Sequence, residues 1–325
     1  MRRFLICTLL MIVTAAGLLC AGCGERTDEP IHETTAVADA EGELETQAVA
    51  DAADAAANGW SFLFISATAD PAGGSDYRAL HDLLANAPAT PELILHGGDV
   101  VQDNQDRAEW DALAAALEAL PDTPLYAAWG ELDGGYFSSY CLTGDNGPEG
   151  LTDHFYSLTW ENVHFCFLDS TYMGLQRDDY VDWLTDDIAA NGQDWNVVIC
   201  HHALYPAADV PQDAERAEAQ RAIWLNALEQ AGVDLVLSGH ETVYGRTDAI
   251  RQGAPVADGI VYVQTCSGAQ ADGASPEAAA DAPSPIAVSH AAEAVACLFR
   301  VADDTIEMTA YTPDGTAVDL LTLHQ

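Results

Sequence analysis

From Trp60 to the C-terminus, short runs of consecutive apolar residues alternate with stretches in which apolar positions recur every three or four residues. The runs "FLFIS" (62–66), "LILHG" (93–97), "LYAAW" (125–129), "WNVVICHH" (195–202) and "DLVLSGH" (234–240) are too short for helices and lack polar alternation. That is the pattern of strands buried on both faces. Between them, Leu80, Leu83 and Leu84, then Trp110, Leu113, Leu117 and Leu120, then Val181, Leu184 and Ile188 fall at helical spacing, and "IWLNALEQAG" (223–232) reads as a helix stopped by Gly232. "FYSLTWENVHFCFLD" (155–169) predicts a hairpin turning at Glu161 and Asn162. After residue 259 the pattern becomes almost all strand: "IVYVQTC", "AVACLFRV", "IEMTAYT" and "AVDLLTL", with a turn at "PDG". Alternating β and α implies parallel pairing with helices on the faces, and the strand-rich tail implies a second, more antiparallel sheet.

The N-terminal part follows a different pattern. Arg2 and Arg3, an apolar stretch from Phe4 to Leu19, and "LCAGC" ending at Cys23 resemble a bacterial lipoprotein signal in which Cys23 becomes the lipidated first residue, although Cys20 stands where Leu is usual. A plain secretory signal cleaved nearby and an uncleaved anchor helix are the alternatives, the apolar stretch being short for a membrane span. Residues 24–58 are Ala-, Asp-, Glu- and Thr-rich and poor in aromatics, with "AVADA" at 36–40 and again at 48–52. Such a segment buries too little apolar surface to fold. The expected organisation is a signal peptide over 1–22, an acidic tether over 23–58 and a folded domain over 59–325, exported and either lipid-anchored or secreted.

Charge narrows the partners. The formal net charge is −41 in 325 residues, and all 11 basic residues are Arg. This excludes nucleic acid, whose phosphates are neutralised by clustered Lys and Arg, and leaves a membrane reachable only through the lipid anchor. Any phosphorylated ligand needs a local cation. Of eight cysteines, Cys7 and Cys20 fall in the leader and Cys23 at its end; Cys141, Cys166, Cys200, Cys266 and Cys297 remain. They read as small core residues, with Cys266–Cys297 the pair to test for a disulfide.

Candidate chemistry collects where the strands end, which is where open α/β sheets bind ligands. Asp99 closes "HGGD", Glu131 and Asp133 lie in "WGELD", His201 and His202 in "CHH", and His240 and Glu241 in "SGHE". Carboxylates and imidazoles from four strands are a mixed oxygen and nitrogen set that suits one divalent zinc, iron or manganese ion. His96 and His164 lie inside apolar runs and read as structural, His81 lies on a helix, and His154, His290 and His324 have no constellation around them. Asp70 and Asp76, in "DPAGGSD", read as turn residues.

These blocks resemble the calcineurin-like metallophosphoesterases, especially the purple acid phosphatase-like branch. The family carries D-x-H or D-x-Q, GD, GNHD or GNHE, an H-H-P-like strand end and GHxH; here those places read "SATA", "GGD", "GELD", "CHHA" and "SGHET". "HFYSLTWENVHFCFLDS" and "GHETVYGRT" resemble flanking family segments. The resemblance implies an α/β fold of two packed mixed β-sheets flanked by helices, and a two-metal site. One metal's places are Ala67, Ala69 and Thr242, beside the bridging Asp99, so that half is expected to be lost. The other's are Asp99, Glu131, His201 and His240, which are expected to hold one divalent ion. The motif His, which in relatives assists turnover, is Leu132. Asp133 and His202 remain as catalytic candidates. Two functions follow from the resemblance: a hydrolase of phosphate mono- or diesters with a reduced site, acting on a phosphorylated small molecule, or an inactive cell-surface binding or scaffolding module.

Overall fold

The computed structural model describes residues 59–69, 77–172, 177–191, 193–208, 210–268, 285–291 and 293–325. The expected signal peptide and tether lie outside the described residues, as do Asp70 and Asp76. Among the described residues no helix is long and apolar enough to cross a membrane.

The strands in chain order are β1 (Trp60–Ile65), β2 (Leu93–His96), β3 (Leu125–Ala127), β4 (Tyr156–Trp160), β5 (Val163–Leu168), β6 (Trp195–Cys200), β7 (Leu235–Ser238), β8 (Tyr244–Thr247), the short β9 (Ile250–Arg251) and β10 (Ala254–Pro255), β11 (Val261–Gln264), β12 (Ile286–His290), β13 (Ala296–Ala302), β14 (Thr305–Tyr311) and β15 (Ala317–His324). The helices are α1 (Arg78–Ala85), α2 (Arg107–Leu117), the single turn α3 (Phe137–Tyr140), α4 (Arg177–Asn191) and α5 (Pro211–Ala231). One sheet has the order β15-β14-β13-β1-β2-β3 and the other β12-β8-β11-β7-β6-β5-β4. In the first, β1, β2 and β3 run parallel; in the second, β5, β6, β7 and β11 do.

The period-two alternation of each strand sorts its side chains into layers. Phe62 and Phe64 of β1, Leu93 and Leu95 of β2, Phe165 and Phe167 of β5 and Leu235 and Leu237 of β7 meet in a core between the sheets. The alternate residues Leu63, Ile65 and Ile94 face α1 and α2 through Leu80, Leu83, Trp110 and Leu113. Cys166, Leu168 and Val198 face α4 and α5 through Tyr180, Leu184, Trp224 and Leu228. Four layers result, helix on sheet on sheet on helix, and the strands read as unbroken apolar runs because both of their faces are covered. The hairpin turns where expected, with Glu161 at φ 49, and α5 ends at Gly232 in a left-handed conformation.

Two expectations are corrected. The C-terminal strands do not form a separate sheet: β13 pairs antiparallel with β1, from Trp60↔Val301 to Phe64↔Cys297, and β14 and β15 continue outward from it. The tail thereby covers an edge of β1 that would otherwise expose unpaired backbone groups. The disulfide between Cys266 and Cys297 does not form; Cys141, Cys166, Cys200, Cys266 and Cys297 are all buried free thiols. Burial pushes the Cys200 thiol up to about 12 and the Cys266 thiol to about 11, which leaves them unreactive small core residues.

The two sheets are also joined by an ion pair. Arg246 on β8 grips Asp319 on β15 with Nε–Oδ2 at 2.6 Å and Nη2–Oδ1 at 3.1 Å, and the Tyr244 hydroxyl donates to Oδ2 at 2.7 Å. The side chains of Arg246 and Asp319 are 10% and 6% exposed, so this bidentate contact lies out of water.

Candidate metal centre

The residues singled out in the sequence come together where β2, β3, β6 and β7 end. Asp99 is turned into this edge by consecutive left-handed residues, Gly98 at φ 86 and Asp99 at φ 55. Gly130 has to lack a side chain, because a Cβ there would lie 2.3 Å from the Asp99 amide nitrogen and from its Oδ1. The backbone N–H of Leu132 donates to Asp99 Oδ1 at 2.9 Å, which leaves Oδ2 facing the histidines. His240 is likewise left-handed at φ 67. Non-glycine residues in this region cost on the order of 1 kcal/mol or more each, so two of them at candidate ligands mark a site whose surroundings over-determine it.

Asp133 turns away from this edge. Its Oδ2 accepts from the N–H of Asp99 (2.8 Å) and Gly130 (2.7 Å), and its Oδ1 from that of Val100 (2.9 Å). The carboxylate is thus committed to holding the Asp99 turn, which is a positioning role. Burial raises its pKa to about 6 against these bonds. An Asp133→Asn substitution has the same shape but sets an amide NH2 against at least one of these N–H groups. We expect it to lower stability by about 1–3 kcal/mol, the cost of a buried polar group left unsatisfied. An unchanged urea midpoint for the variant would refute this role.

The histidines carry the geometry. His201 Nδ1 donates to the Gly97 carbonyl at 2.8 Å, because a carbonyl oxygen can only accept. Its Nε2 therefore points inward, 3.3 Å from Asp99 Oδ2 and 3.2 Å from His240 Nδ1. These separations match the edge of a tetrahedron of ligands around zinc, about 3.3 Å for bonds of 2.0–2.1 Å. Glu131 Oε2 is 4.0 Å from His240 Nδ1. The outer nitrogen of His240, Nε2, lies 3.3 Å from Asp213 Oδ1 and 2.7 Å from Arg216 Nη1. The guanidinium can only donate, so in this arrangement Nε2 accepts from Arg216 and Nδ1 carries the ring proton toward His201 Nε2. A cation at Nδ1 requires the other tautomer, with Nε2 donating to Asp213, the outer-shell arrangement usual for metal-bound imidazoles. His202 is 3% exposed, and its Nδ1 contacts Ser170 Oγ at 3.0 Å. Its Nε2 is buried without a hydrogen-bond partner, 3.5 Å from Glu131 Oε1. One ring nitrogen from each of His201, His202 and His240 lies within 4.8 Å of the others. The donor set therefore fits a divalent cation.

Protonation follows the same arrangement. Burial opposes a proton on His201, but the hydrogen bond and charge of Asp99 outweigh it and raise the pKa. Burial also opposes the charge on Asp99, and His201 outweighs it there too, lowering the carboxyl below its ordinary value. Burial, then the charges of His201, His240 and Arg216, push His202 down to about 2, so it is neutral at any physiological pH. Burial and then His201 lower His240 as well.

The first strand offers no ligands. Ala67 and Ala69 are 7% and 2% exposed, and their backbone N–H groups donate to the carbonyls of Gly98 and Asp99. Thr68 Oγ1 donates to Val100 O at 2.7 Å and so accepts from His96 Nε2 at 2.9 Å, while His96 Nδ1 accepts from Gly98 N. His96 is thus a satisfied core histidine, held neutral by burial, then by the charge of His201, with its pKa near 3. His164 is also structural, bonded to Thr159 Oγ1 and to Asp187 Oδ2. His154 does have a constellation, contrary to expectation: its Nδ1 lies 2.6 Å from Asp169 Oδ2 and its ring stacks on Trp129 with centroids 4.5 Å apart. The sequence pairs neither residue, because 15 positions separate them in different elements.

Sequence reasoning missed two groups at the edge. Arg216 and Asp213 come from the first turns of α5, the end of the helix that reaches the strand ends, and Arg216 Nη2 lies 3.0 Å from Glu131 Oε1. The scarcity of Arg in this chain was the available signal, but nothing in "PQDAER" says which way the helix faces.

Comparison with known proteins identifies the family and the fold. The family model for calcineurin-like phosphoesterases matches residues 63–244, which span all the strand ends described above. A purple acid phosphatase, PPD1 from yellow lupin (Lupinus luteus) seeds, superposes with a TM-score of 0.63 at 14% identity, covering 82% of this chain and 54% of the lupin chain. GAP50, the anchor in the inner membrane complex of Plasmodium, gives 0.58 at 14% identity over 82% of this chain and 89% of its own. PhoD gives 0.58 at 12% identity, over 82% and 70%. These likenesses concern the fold, and the chain spans about half the length of the lupin phosphatase. A search of curated proteins found no match.

Proposed function

Because this chain belongs to the calcineurin-like phosphoesterase family, a family of metal-dependent hydrolases, we propose that it hydrolyses phosphate mono- or diesters with a single divalent cation, zinc, iron or manganese, held at Asp99, His201 and His240, with Glu131 at the fourth position that the family resemblance implies. The observation that carries this reading is the convergence of Asp99 Oδ2, His201 Nε2 and His240 Nδ1 at 3.2–3.3 Å from one to the next. A divalent cation there supplies Lewis acidity toward a phosphoryl oxygen and lowers the pKa of water. Asp99 is held in place by Leu132 N–H and, through its own N–H, by Asp133; His201 is oriented by Gly97 and His240 by Asp213. Arg216, 34% exposed, presents a planar guanidinium beside this edge. It is the local cation that a phosphorylated ligand needs on a chain of net charge −41, and it takes the electrostatic place of the ion lost with Ala67, Ala69 and Thr242. In this reading the leader and tether place the domain outside a bacterial membrane, lipid-anchored or secreted.

A second reading, a binding or scaffolding module without turnover, is favoured by one observation: Ala67, Ala69 and Leu132 offer no donor side chain where active relatives have ligands and a catalytic His. GAP50, described as an anchor, has a similar fold. Elemental analysis of the purified chain, with hydrolysis of p-nitrophenyl phosphate and bis(p-nitrophenyl) phosphate, separates the two. Turnover with about one equivalent of metal is expected for the enzyme. No bound metal and no turnover would establish the second reading, and two tightly bound equivalents would overturn the single-cation site.

A further inference from the structure

We propose that His202, rather than Glu131, completes the cation's ligand set, giving a centre of three imidazoles and one carboxylate: His201, His202, His240 and Asp99. This rests on the reading that one cation binds at this edge, and it changes which residue closes the shell. Glu131 is already engaged, with its Oε1 3.0 Å from Arg216 Nη2 and its side chain 43% exposed, so it sits on the solvent side of the site and anchors a guanidinium. His202 has the opposite character. It is 3% exposed, and its Nε2 is buried with no hydrogen-bond partner. Its ring centroid lies 4.9 Å from that of His201 and 4.7 Å from that of His240, and a nitrogen of each ring lies within 4.8 Å of the others.

The outer side of His202 is built for this task. Its backbone N–H donates to Ser170 Oγ at 2.8 Å, and Nδ1 lies 3.0 Å from the same oxygen. A hydroxyl oxygen has two lone pairs, so it can accept from both, which puts the ring proton on Nδ1 and the lone pair on Nε2. Ser170 is itself fixed, its carbonyl accepting from Gln220 Nε2 at 2.7 Å. His201 has the equivalent support from Gly97 O. His240 has Asp213 Oδ1 3.3 Å from its outer nitrogen, ready to accept once a cation displaces the Nδ1 proton and Arg216, now donating to that nitrogen at 2.7 Å, turns away. Ligands of a tetrahedral zinc ion stand about 3.3 Å apart, whereas the three imidazoles offer nitrogens within 4.8 Å of one another, so the widest pair has to close by up to about 1.5 Å on binding. Three neutral imidazoles and one carboxylate leave a divalent ion with net positive charge, which two carboxylates would cancel. The centre then attracts an anionic phosphoryl group together with Arg216.

The test uses the full chain loaded with Cu(II), followed by pulsed EPR to count coordinated imidazoles from their remote nitrogens, and a zinc affinity measurement on variants. Three imidazoles are expected in the unmodified protein; two would overturn the proposal without any variant having to fold. His202→Ala should weaken zinc binding by more than the roughly 10–100-fold typical of losing an outer-shell partner, while Glu131→Gln should change it by only a few-fold. Loss of affinity in Glu131→Gln with none in His202→Ala overturns this ligand assignment and leaves the single-cation reading standing. An unmodified chain that binds no metal overturns both.

Discussion

Replacing His201 with alanine is expected to abolish hydrolysis and to remove tight metal binding. His201 is fully buried, and its ring joins two other candidate ligands to the backbone: Nδ1 on Gly97 O, Nε2 on Asp99 Oδ2 and on His240 Nδ1. Alanine there deletes a donor atom and leaves the Asp99 carboxylate, 14% exposed, without its nearest cationic partner. Loss of an outer-shell partner alone costs about 10–100-fold in metal affinity, so loss of this ring should exceed that range. Metal content and phosphodiester turnover measured on the same preparation check it. His164→Ala is the control: it also removes a buried histidine, but one bonded to Thr159 and Asp187, so it should lower stability and leave metal content intact. Full metal loading and undiminished turnover in His201→Ala would mean that the centre is not where we place it.

Replacing Asp319 with alanine should be the most destabilising change away from the site, by about 3–5 kcal/mol, because it strands a buried guanidinium. Arg246 loses two charge-assisted hydrogen bonds at once, and the Tyr244 hydroxyl loses its acceptor. The remaining carboxylate near Arg246, Asp248, is 4.0 Å away and 69% exposed, too solvated to substitute. The damage is specific to breaking the pair. A double variant, Arg246→Met with Asp319→Leu, removes both charges and should recover most of the loss, since buried ion pairs are often replaceable by apolar residues of similar volume. Urea unfolding at low and high salt measures both effects, and the loss in the single variant should persist in salt because the pair lies out of solvent. A single-variant loss below about 1 kcal/mol, typical of an exposed pair, would show that water reaches this contact.

The sequence by itself determined the layers and the edge. The apolar runs of β1, β2, β5, β6 and β7 required two covered faces, and "GGD", "GELD", "CHH" and "SGH" placed donors where those runs stop; both signals are local, set by strand period and by residues within a few positions of each other. It also placed Ala67 and Ala69 where no ligand can stand. What it left undecided depends on residues far apart in the chain. Whether β13 to β15 form their own sheet or continue from β1 is fixed by pairing across more than 200 positions. Asp133 reads in the sequence as a catalytic candidate, and only the tertiary structure brings three backbone N–H groups onto its carboxylate. Arg216 and Asp213 reach the site because the first turns of α5, packed on the face of the second sheet, extend to the strand ends, and His154 meets Asp169 and Trp129 across three different loops. The role of His202 turns on a lone pair. Its sequence neighbours are the same whether Nε2 faces a hydrogen-bond partner or a cation, and only the packed structure shows that nitrogen buried and unbonded, on a ring beside two other imidazoles.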